Sequence, residues 1–302
     1  MTLADLKHQQ QLLADGTIVA DWAAGHSSFG AKFVRFAEGH LGVWKADYAK
    51  YNTLRHEIAA SRVDEHLGLF LVPATVKKDF RGTPGTVQWV VGPLNNKRFA
   101  EMLDELGFLD YLIDNRDRSR NNVLQTENGA MVAIDHGLSF GELGNWRSDK
   151  AFENFEENVK SLAYIMKSRK NLEAQIAQNP NASVDARRSI VTLKNEESKL
   201  QTKIQIFSPE RSVILKLKNT TREQWEEVLG DSITEHELTA LIARQERLVQ
   251  SFESAETQIG KDLLYRQGAY SSITGVIIKD SATPQPAQNL QKMKNRRAFG
   301  DF

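Results

Sequence analysis

The sequence predicts an α+β protein of two lobes: an antiparallel five-stranded N-terminal lobe, then a helical C-terminal lobe with an inserted helical hairpin. Three observations predict it. Between residues 17 and 91 short apolar runs alternate with Gly, Pro, Asn and Asp turns, the texture of antiparallel strands. One amphipathic stretch, 51–67, interrupts those runs after the third of them. From Asp149 onward the pattern turns charged and helical, with apolar residues three and four apart.

Taken in order, residues 3–15 predict a short helix ending at Asp15-Gly16. Strand-like runs follow at 17–22, 32–36 and 41–45, joined by the turns 25–30 and 38–40. The first turn, bounded by Gly25 and Gly30, carries the hydroxyls of Ser27 and Ser28; such a loop lets backbone N–H groups and hydroxyls approach phosphate oxygens. Lys45 ends the third strand. The next segment predicts a partly buried helix on Leu54, Ile58, Val63 and Leu67, with Ala59-Ala60 as a compact patch and Glu57 beside the buried stripe. An extended run at 68–76, a charged hairpin at 77–85 and a strand at 86–91 bring the strand count to five. Gly92-Pro93 marks a hinge, where the carbonyl of Val91 is placed to read an adenine edge.

The stretch from Leu109 to Phe140 holds most of the chemistry. Asp117 and Asn122 lie five apart, the separation of base and metal-binding amide in the kinase loop H-R-D-x-x-x-x-N. A strand-like run, 131–134, then delivers Asp135 into a His-Gly turn. Asp114 rivals Asp117 for the catalytic position. If the helix predicted from Glu101 to Ile113 continues to Asn115, Asp110 and Asp114 stack on its last turn against the helix dipole, with Arg116, Arg118 and Arg120 as compensating cations. No H-E-x-x-H, G-x-S-x-G or G-x-G-x-x-G occurs.

Four blocks together resemble the atypical kinases related to phosphatidylinositol 3-/4-kinases and to the secretory-pathway casein-kinase type, with their bacterial and phage relatives. They are GHSSFGAKFVRF with GVWK, HEIAASRVDEHLGLFLVPATV, FLDYLIDNRDRSRNNVL and VAIDHGLSFG, covering roughly residues 17–142. The resemblance implies ATP and Mg²⁺, or Mn²⁺, as cofactors. Lys45 would hold phosphates, Glu57 orient Lys45, Asp117 sit in the catalytic position, and Asn122 and Asp135 bind the metal. Where the family often reads D-R-H, this chain reads Asp117-Arg118-Ser119. The expected activity is transfer of the γ-phosphate to a protein Ser/Thr hydroxyl. A lipid acceptor, AMP transfer and a pseudokinase scaffold are the alternatives on the same fold.

Downstream, Phe155, Val159, Leu162, Met166, Leu172 and Ile176, then a break at 179–181 with Ser183 as N-cap, then Ile190, Leu193, Leu200 and Ile204, predict a helical hairpin over 152–206. It is the candidate surface for a protein partner or a second copy. Residues 222–229, 232–256 and 258–265 read as helices, 275–278 as a short strand and 281–302 as a basic, flexible tail. The expected division is thus 1–92, 93–280 and 281–302. Composition fits this frame: 302 residues, equal Lys+Arg and Asp+Glu, and no cysteine, which excludes disulfides, thiolate metal sites and cysteine nucleophiles. Balanced charge points to no nucleic acid. With no apolar leader and no membrane-length run, a cytoplasmic protein is expected, with delivery into a host cell left open.

Overall fold

Side chains alternate across a strand, so adjacent Trp44 and Lys45 must leave their sheet on opposite faces, and that alternation divides packing from chemistry in the N-terminal lobe. The computed structural model describes residues 3–24, 30–47, 53–92, 106–126, 130–141, 146–179 and 183–266. Its strands β1 (Ile18–Ala23), β2 (Lys32–Phe36), β3 (Leu41–Ala46), β4 (Thr75–Lys77) and β5 (Gly85–Trp89) form one antiparallel sheet in the order β1-β2-β3-β5-β4. Helix α1 (Leu3–Asp15) lays Leu6 and Leu13 on the face bearing Val34, Phe36, Trp44, Val87 and Trp89. A Cβ at Gly16 would lie 2.5 Å from the Leu12 carbonyl and 2.7 Å from the Phe36 ring, so only glycine lets the chain leave α1 this close to the sheet. His40 stacks between Phe36 and Trp89, with centroids 4.3 and 5.0 Å away.

Helix α2 (Thr53–Leu67) crosses between the lobes, and its apolar face belongs to the helical one. Ala59, Ala60, Val63 and Leu67 share a hydrophobic cluster with Leu109, Phe140, Trp225 and Leu241. Arg62 Nη1 donates to the Leu229 carbonyl (2.7 Å) and Ser232 Oγ (2.9 Å), and His66 Nε2 pairs with Thr220 Oγ1 at 2.9 Å.

The run 68–76 is strand only over β4. Asp64 is the reason: from α2 its carboxylate accepts the N–H groups of Leu71 (2.9 Å) and Val72 (3.2 Å), tying that run down as a turn with Phe70 at positive φ. Burial pushes the Asp64 carboxyl up to about 7, over the opposing effect of those two bonds. A carboxyl raised on folding binds its proton more tightly in the folded chain. Its stabilising contribution is therefore full below pH 4 or so and lost as pH rises through about 7. Wild-type stability in urea is expected to fall across that window, and Asp64→Asn to flatten the fall; equal slopes for the two proteins would refute the assignment.

The helical lobe comprises α3 (Gly107–Leu112), the hairpin β6 (Val123–Gln125) and β7 (Met131–Ala133), and helices α4 (Trp146–Gln178), α5 (Val184–Phe207), α6 (Arg211–Asn219), α7 (Arg222–Leu229), α8 (Glu235–Ile259) and α9 (Lys261–Leu264). Phe152, Phe155, Phe207 and Phe252 stack at the root of the α4–α5 hairpin, with centroids 4.8–6.4 Å apart. Beyond Leu162 and before Ile204 no described residue of the hairpin is buried. Ion pairs brace it there, Arg169 to Glu173 (2.8 Å) and to Glu197 (2.7 Å).

Several boundaries differ from the sequence reading. Helix α3 stops at Leu112, because Asp114 turns left-handed (φ 48°); Asp110 and Asp114 therefore do not stack. β6 and α6 do not stand out in the sequence because both are short, three and nine residues. α8 starts after Thr234, whose capping box with Glu237 sets the helix start, and runs to Ile259. The expected strand 275–278 and tail 281–302 lie outside the described residues. Among the described residues no helix is long and apolar enough to cross a membrane.

Candidate nucleotide and metal site

Three elements meet at Lys45. β3 presents it on the face opposite Trp44, α2 brings Glu57, which is 3% exposed, and β7 ends two residues before Asp135. Lys45 Nζ donates to Glu57 Oε1 and, at 2.8 Å, to Asp135 Oδ1. Burial works to lower the Lys45 pKa, but the two carboxylates outweigh it and the net shift is upward, so the ammonium stays charged. The Asp135 backbone is left-handed (φ 61°), a region that Asp and Asn enter more readily than other L-residues. The Ala133 N–H donates to the Leu71 carbonyl at 2.8 Å, so the turn that Asp64 fixes also aligns the strand delivering Asp135.

Arg118 organises the loop between α3 and β6. Its guanidinium forks onto Asp110 (Nε to Oδ2 2.8 Å, Nη2 to Oδ1 2.9 Å). Nη1 donates to the carbonyls of Asn122 (2.6 Å) and Ile134 (3.0 Å), and Nη2 lies 2.9 Å from His136 Nε2. The expected ion-pair knot is thus real for Arg118–Asp110, while Arg116 lies 3.5 Å from Asp114 and Arg120 is exposed. His136 is fully buried and its pKa is held well below the usual imidazole value by burial, then by Arg118 and Lys45; it stays neutral and faces Arg118.

Asn122 follows from this scaffold. Its Nδ2 donates to the Asp117 carbonyl (2.7 Å) and to Asp117 Oδ2 (3.3 Å), which leaves the amide oxygen as its ligating atom. Ser119, which stands where related loops carry histidine, caps the turn Arg120–Asn122 by accepting the Asn121 N–H at 3.3 Å. Asp117 is exposed, whereas Asp114 is 2% exposed and its pKa is raised by burial against the pull of Arg244 and Arg116. Of the other expected residues, Gly25, Ser27 and Ser28 lie outside the described residues. Gly30 has φ 63°, and Val91 packs partly buried against the N-terminal core just after β5.

Among the described residues no three His, Cys, Asp or Glu side chains gather into a metal cage. A hard divalent ion held by one carboxylate and one amide must complete its shell with phosphate oxygens and water, and Asp135 with Asn122 suits that manner of binding. Asp64 and His56 are not among the site residues expected from the sequence, although the spacing of Asp64 from Glu57 within the second block carries a signal.

Residues 80–159 match the family model described as phosphatidylinositol 3- and 4-kinase, a segment that includes Asp117, Asn122 and Asp135. No curated protein sequence matches the chain significantly. Among the solved structures similar to it are the following three. For the Golgi casein kinase the identity is 11% and the TM-score 0.51, over 88% of this chain and 80% of that one. For the Golgi casein kinase with Mn/ADP bound the values are 12% and 0.50, over 88% and 81%. For hydra Fam20 with sugar they are 13% and 0.50, over 87% and 92%. At these identities the likeness is one of fold, and the matched segment falls on the loop that holds the acidic stations: the chain has an atypical-kinase fold similar to that of the Golgi casein kinase, with a phosphatidylinositol 3-/4-kinase-like segment at that loop.

Proposed function

We propose that this chain is an ATP- and Mg²⁺-dependent kinase that transfers the γ-phosphate to a Ser/Thr hydroxyl of a protein. The observation that carries the reading is Lys45 held at once by Glu57 on α2 and Asp135 after β7. A lysine fixed by a buried glutamate is a positioned cation for phosphates, and the partner carboxylate, Asp135, would help hold a divalent ion that neutralises their charge. The neighbour with Mn/ADP bound supports the use of an adenine nucleotide and a divalent ion.

In this reading Asn122 and Asp135 would hold the metal, which when bound neutralises charge on the transferred group. Lys45 orients the phosphates, and Glu57 keeps Lys45 aimed and ionised. Asp117, exposed beside the Asn122 amide, orients the acceptor hydroxyl and takes its proton. Burial and the left-handed turn at Asp114 support Asp117 over it. Phosphoryl transfer asks mainly for such positioning and charge neutralisation.

The test is label transfer from γ- and α-labelled ATP to a mixed protein acceptor and to phosphoinositide vesicles, beside a thermal shift with ATP and Mg²⁺. γ-Label on protein is expected, reduced far more by Asp117→Ala than by Asp114→Ala once stability is matched. Transfer of α-label would make the chain an AMP transferase, γ-label on lipid a lipid kinase, and neither shift nor transfer a scaffold.

A further inference from the structure

His56 precedes Glu57 on α2 and has no role in the reading above. Consecutive helical residues diverge by about 100°, so Glu57 meets Lys45 while His56 leaves α2 toward α8 and the loop after β7. The ring is buried. Its Nε2 lies 2.8 Å from Glu237 Oε1, its Nδ1 lies 3.2 Å from the carbonyl oxygen of buried Gly137, and its centroid is 5.7 Å from that of Phe140. Glu237 is itself fixed: Oε2 accepts the Thr234 N–H at 2.6 Å, and its own N–H donates to Thr234 Oγ1 at 3.3 Å. At the far end of the loop, the Phe140 N–H donates to the Ile113 carbonyl at 2.6 Å.

Two adjacent residues of α2 therefore hold the segment that carries Asp135. Glu57 reaches Asp135 through Lys45, and His56 holds Gly137, two residues on. The other polar ties of α2 to the helical lobe, Arg62 and His66, do not reach this loop. We propose that His56 is a positioning residue: with one ring N–H donated to the Gly137 carbonyl and the other to the Glu237 carboxylate, a bridge that needs both N–H groups, it fixes the loop 135–140 against α2, and so sets Asp135 relative to Lys45. The proposal rests on the kinase reading for its effect on rate, but its structural half does not. Without the His56 bond the buried Gly137 carbonyl loses its donor, and among the described residues neither neighbour of Asp135 in the turn has a tie to α2.

The experiment compares His56→Phe, which keeps ring bulk and removes both bonds, His56→Gln, which keeps a donor, and His66→Phe, a control on the same helix away from the loop. In nucleotide-free protein, amides 136–141 of His56→Phe are expected to exchange about tenfold faster, as for one lost buried hydrogen bond, with the interior of α8 unchanged. On the folded fraction kcat is expected to fall on the order of 10- to 100-fold with little change in the KM for ATP. His56→Gln recovers part of both. His66→Phe lowers Tm and leaves loop exchange and kcat as they were. Unchanged loop exchange in both His56 variants overturns the proposal, as does an equal loss of kcat in His66→Phe. A wild type that transfers no phosphate sinks the kinase reading while the exchange data still decide whether His56 holds the loop. Should His56→Phe not fold, His56→Gln carries the comparison.

Discussion

Asp135→Asn is expected to slow phosphoryl transfer on the order of 10²- to 10³-fold while leaving Tm nearly unchanged. The choice of asparagine matters. Position 135 has φ 61°, where asparagine is accepted about as well as aspartate and alanine is strained, so the substitution changes charge rather than backbone. The amide oxygen can still accept from Lys45, now 2.8 Å from Oδ1, and the Lys45–Glu57 pair persists. What disappears is the negative charge a divalent ion needs beside the Asn122 amide. If Asp135 and Asn122 hold the ion as proposed, with one carboxylate among the described residues, that loss would weaken metal retention and leave transferred charge without its counterpart. Transfer of γ-label at saturating ATP, across a Mg²⁺ series, checks it. Activity within threefold of wild type at low Mg²⁺ would show that Asp135 serves only to hold Lys45.

The order of strands, the placing of α2 after β3 and the long hairpin could be read from the sequence because each rests on local patterning: turn residues between apolar runs, or apolar residues at helical spacing. The pairing of Lys45, Glu57 and Asp135 is non-local, spanning 90 residues, and became legible only through the order of the blocks. What stayed hidden has a common physical origin. Asp64 and His56 sit on the polar-looking register of α2, and nothing in an isolated helix tells a buried aspartate facing two amide groups from a solvated one. The loop 113–118 misled for a similar reason. Asp114 reads as a helix residue by spacing, yet its left-handed backbone ends the helix and turns the chain so that Arg118, four residues on, can reach back to Asp110.

That return contact carries the larger stability prediction. Arg118→Leu is expected to cost about 3–5 kcal/mol in urea unfolding, the range for removing one partner of a buried ion pair. Both members are 5% exposed or less, so solvent screening offers little relief. The loss has four parts. Asp110 keeps only the Asn115 Nδ2 donor at 3.0 Å, the Asn122 carbonyl retains one donor, the Ile134 N–H at 3.1 Å, the Ile134 carbonyl loses its guanidinium donor, and buried His136 Nε2 loses its contact with Nη2. Arg118→Lys, with charge but no planar fork, should recover only part, since one ammonium cannot bridge Asp110 and both carbonyls. Asp110→Leu combined with Arg118→Leu should cost much less than the sum of the two single changes, because neither charge is then left buried alone. Additive losses would mean that the pair is not coupled. The same guanidinium joins the strand ends on either side of the site, Asn122 before β6 and Ile134 after β7, so Arg118→Lys should also lower transfer even where the protein remains folded. A folded Arg118→Lys protein with wild-type kcat would confine Arg118 to stability and detach it from the geometry that sets Asn122 beside Asp135.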